Sequence, residues 1–211
     1  MMSHSASISI VCFGDSLTAG YQSPTYDVPT VQETAYGSFL QARLGTQATV
    51  ITSGVCGELT GDMVLRFRRD VLAHSPDYVV ILGGTNDLGW HVALAEILNH
   101  LVRMYELALG AGIQPVALTV PSIRMEGDPA AEQWLQELVT QRQHLNRLIT
   151  EYCVKNRIAC CDLFAATADP RTLLLASPYS NDGLHLTTEG YRTMADLLYC
   201  QVFQWCLPGH D

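Results

Sequence analysis

The sequence predicts an α/β fold, a three-layer α/β/α sandwich built on a five-stranded parallel sheet. Three observations carry this. Short apolar, β-branched runs alternate along the chain with segments whose apolar residues recur at helical spacing, which predicts right-handed βαβ units and a sheet covered on both faces. Even the most apolar run, Tyr78 to Leu82, is only strand length, far short of the ~20 residues that span a bilayer. The chain has 211 residues, 48% of them hydrophobic and evenly distributed, which predicts one domain over residues 1–211 with a sizeable core.

The first strand is the run from Ile8 to about Phe13, which turns abruptly at Gly14. A long connection follows from Tyr21 to about Glu33. It holds Pro24 and Pro29 and few apolar anchors, and reads as either a surface loop or a flap. A helix fits Thr34 to Leu44, with Tyr36, Phe39, Leu40 and Leu44 on one face. The second strand spans Thr49 to Ser53, and the turn Gly54-Val55-Cys56-Gly57 ends it. Thr60 is placed to cap a helix that turns Val64, Phe67 and Val71 inward, and His74-Ser75-Pro76-Asp77 breaks that helix.

The third strand, Tyr78 to Leu82, runs into Gly83-Gly84-Thr85-Asn86-Asp87. The next helix covers Ala93 to Leu109, with Leu94, Leu98, Leu101, Tyr105 and Ala108 as its stripe and Gly110 and Gly112 at its end. Pro115 to Val120 is the fourth strand. A loop from Pro121 to about Ala130 leads into a long helix ending near Lys155, with Leu138, Leu145, Leu148, Ile149 and Tyr152 inward. Ile158 to Leu163 is the fifth strand, and a loop-rich stretch reaches His185. The last helix starts at Thr187 or Thr188, turns Tyr191, Met194, Leu198 and Val202 inward, and stops before Pro208.

Four blocks with chemical potential fall just after predicted strands or in the last loop, where open α/β sheets keep their ligands. The first holds Ser16, a candidate nucleophile that needs a base within hydrogen-bond reach. By itself it reads equally as a helix cap at a tight turn. Asp182-Gly183-Leu184-His185 offers that base, because an unperturbed histidine side chain titrates near neutrality and Asp182 can turn back to orient the His185 ring. Gly57 can offer an unobstructed backbone N–H and Asn86 a side-chain amide. With the Ser16 N–H they make a three-donor oxyanion hole for the charge that develops in acyl transfer. Taken singly, Gly57 is a turn glycine and Asn86-Asp87 a turn or cap. Together they require four coincidences in the right order.

The tetrapeptide Gly14-Asp15-Ser16-Leu17 resembles the first block of the GDSL, or SGNH, hydrolase family of esterases and lipases. Gly54 to Gly57, Gly84 to Asp87 and Asp182 to His185 resemble its later blocks, so the resemblance covers residues 14–185. It implies a flavodoxin-like SGNH-hydrolase fold with strand order 2-1-3-4-5. It also implies a Ser16, His185, Asp182 triad with an oxyanion hole from Ser16, Gly57 and Asn86. Thr52 departs from the pattern, where family members often carry asparagine. Asp15 is expected to fix the turn, and Cys56 to pack rather than react, since no second histidine is placed to activate it. His4, His74, His91, His100, His144 and His210 default to surface or core roles.

The expected function is therefore hydrolysis of carboxylic acyl esters through an acyl-enzyme, with no cofactor and no metal. Thioester hydrolysis or acyl transfer would use the same site. The competing class is a non-catalytic ligand-binding module, against which stands the absence of a Gly-x-Gly-x-x-Gly after the first strand. A net charge of −9 with no basic run argues against nucleic acid and anionic membrane surfaces as partners. The expected partner is a small-molecule acyl ester, without stable membrane insertion. The oligomeric state is open.

Seven cysteines without metal-like spacing, and a start lacking the features of a secretion signal, predict a reduced, cytoplasmic protein. Trp90, Met125 and Trp134 are candidate pocket walls, with a core or surface role equally open to each.

Overall fold

A computed structural model describes residues 7–125 and 132–206. Strand β1 (Ile8–Gly14) leads into a single helical turn, α1 (Ser16–Ala19). Two short strands, β2 (Tyr21–Gln22) and β3 (Gln32–Glu33), precede α2 (Tyr36–Leu44). Then come β4 (Ala48–Gly54), α3 (Thr60–Asp70) and β5 (Tyr78–Leu82). After α4 (Thr85–Gly89) and α5 (Leu94–Gly110) the chain forms β6 (Gln114–Leu118). The long helix α6 (Glu132–Asn156), β7 (Ala159–Cys161), α7 (Leu163–Thr167) and α8 (Thr188–Gln201) complete it.

The main sheet runs β4-β1-β5-β6-β7 with every pair parallel, which is the expected strand order. Side chains alternate across it, as the two-residue period of a strand requires. Ile10, Cys12, Val80 and Leu82 pack on one face under α2 and α8, against Leu40, Tyr191, Met194 and Leu198. Val11, Phe13, Val79 and Ile81 pack on the other under α3, α5 and α6, against Phe67, Leu101, Tyr105 and Leu145. With both faces covered, β1 and β5 are apolar at successive positions, which is why their runs read so clearly. The carboxyl ends of β1, β4 and β5 meet at Gly14, Gly54 and Leu82, which are register partners.

The structure differs from expectation in several elements. The Tyr21 to Glu33 connection is a surface loop closed by a short two-stranded base. Its ends pair as β2 and β3, and its apex, with Tyr26, is exposed. Thr60 does not cap α3 through its side chain. Its N–H and hydroxyl donate instead to the Asp87 carboxylate, a partner 27 residues away. The buried stripe of α5 is Ile97, Leu101, Met104, Tyr105 and Ala108, with Leu94 and Leu98 at its margin. That of α6 is Leu135, Leu138, Val139, Arg142, Leu145, Asn146, Ile149 and Cys153, with Leu148 and Tyr152 only partly covered. Met63 and Arg66 join Phe67 on the inner face of α3. Strand β7 keeps only three of the six residues expected of it, because Asp162 accepts from the Ala165 N–H and starts α7. The expected end of the 121–130 loop and the stop at Pro208 lie outside the described residues.

Candidate active site

Ser16 occupies the first position of α1, immediately beyond β1. Asp15 makes the turn, its Oδ1 accepting the Leu17 N–H at 2.9 Å. That leaves the Ser16 N–H at a helix start, where backbone donors have no helical partner. The Gly54 to Gly57 turn is tied to the same spot by the Val55 N–H donating to the Gly14 carbonyl at 3.0 Å. Gly57 has φ +78°, a backbone conformation that a side chain would strain.

The last loop is folded around its own side chains. Asp182 Oδ1 accepts the Leu184 and His185 N–H groups, each at 2.8 Å. Ser180 Oγ donates to the His185 carbonyl at 2.7 Å and accepts the Gly183 N–H at 2.9 Å. Gly183 has φ +79°, and a Cβ there would lie 1.9 Å from the Arg124 carbonyl oxygen, so no other residue fits. This geometry aims the imidazole at Ser16. His185 Nδ1 is 2.8 Å from Asp182 Oδ2, and His185 Nε2 is 3.2 Å from Ser16 Oγ.

Burial opposes the charge on Asp182, but hydrogen bonds from His185, Ser23 and two backbone N–H groups outweigh it. They hold its carboxyl well below the usual carboxylate range. It is therefore anionic at neutral pH.

Asn86 sits at the start of α4, beyond β5. Its Nδ2 donates to the Glu58 carbonyl at 2.9 Å, which fixes the amide and leaves one of its two hydrogens for a ligand. Asp87 bonds to Thr60 and so anchors the same block to the other end of the Gly57 turn.

Three residues that the sequence reading missed support this chain. Ser23 Oγ donates to Asp182 Oδ2. The Tyr21 ring packs on the His185 ring with centroids 4.4 Å apart. Glu58 supplies the carbonyl that orients Asn86. No sequence signal marks Tyr21 or Ser23, because they act from a connection that meets α8 only in three dimensions. Gln22 makes that link by accepting the Thr188 N–H at 3.0 Å.

Cys56 is exposed, which corrects the packing role expected of it. Burial and the nearby Glu33 and Asp15 charges raise its thiol pKa, so it is not activated as a nucleophile. All seven cysteines are free thiols. Trp90 and Met125 line a pocket beside Asn86 and Asp182, whereas Trp134 is not among its lining residues. Among the described residues no group of His, Cys, Asp and Glu is arranged to hold a metal ion. None of their helices is long and apolar enough to cross a membrane.

Asp15 is completely buried, and its Oδ2 has no hydrogen-bond partner among the described residues. Burial pushes its carboxyl up to about 7, against the opposing Leu17 N–H and the neighbouring His185 charge. The folded protein then keeps a proton that the unfolded chain releases above about 3.8. The stability this contributes is complete below that value and is lost as pH rises through about 7. Within the window the wild type should lose up to about 1.4 kcal/mol per pH unit relative to Asp15→Asn. Urea melts of both proteins across this range measure it. A pH-independent difference between them contradicts the assignment.

The sequence pattern of the GDSL-like lipase/acylhydrolase family matches residues 12–193. An uncharacterized lipoprotein of Bacillus subtilis is 31% identical over 125 residues, covering 56% of this chain and 51% of the relative. An arylesterase of Vibrio mimicus is 31% identical over 118 residues, covering 54% of this chain and 56% of the relative. The matched segment thus spans about half the length of both curated relatives. A GDSL-like lipase from Bacteroides thetaiotaomicron superposes with a TM-score of 0.75 at 25% identity, covering 94% of this chain and 89% of that one. The family pattern takes in the Ser16 turn, the Gly57 and Asn86 blocks and the last loop, and the chain belongs to the GDSL-like lipase/acylhydrolase family.

Proposed function

We propose that the protein is a serine hydrolase of small carboxylic acyl esters, working through an acyl-enzyme. The observation that carries this reading is the unbroken chain from Asp182 through His185 to Ser16, with links of 2.8 and 3.2 Å. His185 Nε2 removes the Ser16 hydroxyl proton as Oγ attacks the ester carbonyl. Asp182 holds the ring and stabilises the imidazolium. The carbonyl oxygen gains charge and meets the Ser16 N–H, the Gly57 N–H and the free hydrogen of Asn86 Nδ2. The tetrahedral species collapses, the alcohol leaves with the proton from His185, and the acyl group stays on Oγ. Water then adds with His185 as base, and the carboxylic acid departs. The Vibrio mimicus arylesterase supports an ester as substrate. We further propose a reduced, cytoplasmic location, supported by the seven free thiols; the Bacillus subtilis lipoprotein makes a membrane-anchored form the alternative for cell fractionation to exclude.

Initial rates on 4-nitrophenyl esters of graded acyl length, beside the matching thioesters, test the reading. Hydrolysis of oxygen esters that disappears in Ser16→Ala supports it. Folded Ser16→Ala with undiminished turnover removes it. Asn86→Ala should lower kcat by about 10²- to 10³-fold with a small change in KM, because its amide meets charge that develops only in the transition state. A rise in KM at constant kcat would show that Asn86 binds the ground state instead.

A further inference from the structure

The inner stripe of α6 recurs at helical spacing through Leu135, Leu138, Val139, Leu145 and Ile149, and Arg142 occupies a central place in it. Leucine or methionine would fill that place at no electrostatic cost. Arg142 is 2% exposed; among the described residues its Nε has no hydrogen-bond partner and its Nη1 reaches only the Leu138 carbonyl, at 3.4 Å. Among the described residues it has no acidic partner. Burial lowers its guanidinium to about 10, so it remains charged at neutral pH. A buried charge without a counterion is expensive.

Arg142 lines a pocket of about 340 Å³ that also touches Asn86 and Asp182. Its other walls include Ile123, Leu138 and Leu184. Among the described residues Asp182 directs its oxygens to Ser23, His185 and two backbone N–H groups and makes no ion pair with Arg142. Arg124, also on the pocket, donates to the carbonyls of Leu175 and Ser180 at 3.1 and 3.0 Å. The unanswered donors are thus those of Arg142, in a chamber where Ile123, Leu138 and Leu184 stand beside Thr85, Asn86, Arg124 and Asp182, next to the proposed oxyanion site.

We propose that Arg142 is a specificity residue that recognises a carboxylate carried by the ester substrate, in keeping with the planar fork that guanidinium offers a carboxylate. The proposal rests on the ester-hydrolase reading for its substrate class. Its test does not need turnover.

In the Ser16→Ala background, calorimetric titrations compare three esters. Monomethyl succinate carries the carboxylate on the acyl half, acetoxyacetate carries it on the alcohol half, and methyl butyrate is neutral. At least one anionic ester should bind about tenfold or more tightly than methyl butyrate, as a charge-assisted pair implies. The stronger of the two identifies the half that carries the charge. Adding Arg142→Met should abolish the preference, and Arg142→Lys should restore part of it. Arg142→Gln serves the same purpose if the Met variant fails to fold. Equal binding of all three esters, or a preference that survives loss of Arg142, overturns the proposal. Either result leaves Ser16-dependent hydrolysis standing, and loss of hydrolysis alone leaves the binding result intact.

Discussion

Ser16→Ala should lower kcat/KM on 4-nitrophenyl acetate by about 10⁴-fold or more, and His185→Ala by a similar amount. The double variant should be little worse than either single one, because the two groups act as one unit. Once Oγ is gone His185 has no hydroxyl to deprotonate, and once the imidazole is gone Ser16 keeps its proton at neutral pH. The folded state should survive both changes. Ser16 Oγ has His185 as its hydrogen-bond partner, and His185 is held by its own loop. Thermal melts beside the kinetics check this. Losses that multiply in the double variant would mean that the two residues act independently.

Arg66→Met should cost about 3–5 kcal/mol of stability, the range for breaking a buried ion pair from one side. Arg66 is 8% exposed and lies on the inner face of α3. Its Nε and Nη2 meet the Glu58 carboxylate at 2.6 to 2.8 Å, its Nη1 meets Asp70 at 2.8 Å, and its Nη2 also donates to the Gly14 carbonyl at 2.8 Å. The guanidinium stacks on the Phe13 ring at 4.1 Å. Methionine keeps most of the volume and none of the donors, so Glu58 is left buried and charged. Adding Glu58→Gln should recover part of the loss. The network also borders the site, since Gly14 precedes the Ser16 turn and Glu58 orients Asn86. A urea melt reads the effect directly. A cost under about 1 kcal/mol would place the cluster among ion pairs that contribute little.

What could be read in advance divides along a physical line. Strands β1 and β5 were legible because both sheet faces are covered, so their central positions are apolar in succession. The strand order needed the family resemblance, since alternation of strands and helices does not order a sheet. Strand β7 was overread, because Asp162 interrupts an apolar run that composition alone continues. Thr60 was misread as a side-chain cap because its true partner, Asp87, is remote in sequence.

At the candidate site, Ser16, Gly57, Asn86, Asp182 and His185 were legible because each follows a strand or lies in one short loop. The structure brings Ser16, His185 and Asp182 into hydrogen-bond contact and anchors Asn86 beside the Gly57 turn. Tyr21, Ser23 and Glu58 were not legible, since each acts through a contact that exists only after folding. Arg142 carried a signal that went unused, a charged residue at an apolar place in a helical stripe.

Mass analysis of the protein quenched during turnover of 4-nitrophenyl acetate decides whether Ser16 carries the acyl group. One acetyl group is expected, on the peptide that contains Ser16, absent from Ser16→Ala and released on standing. Turnover with no acetylated protein, or an acetyl group on another residue that persists in Ser16→Ala, would contradict the acyl-enzyme reading.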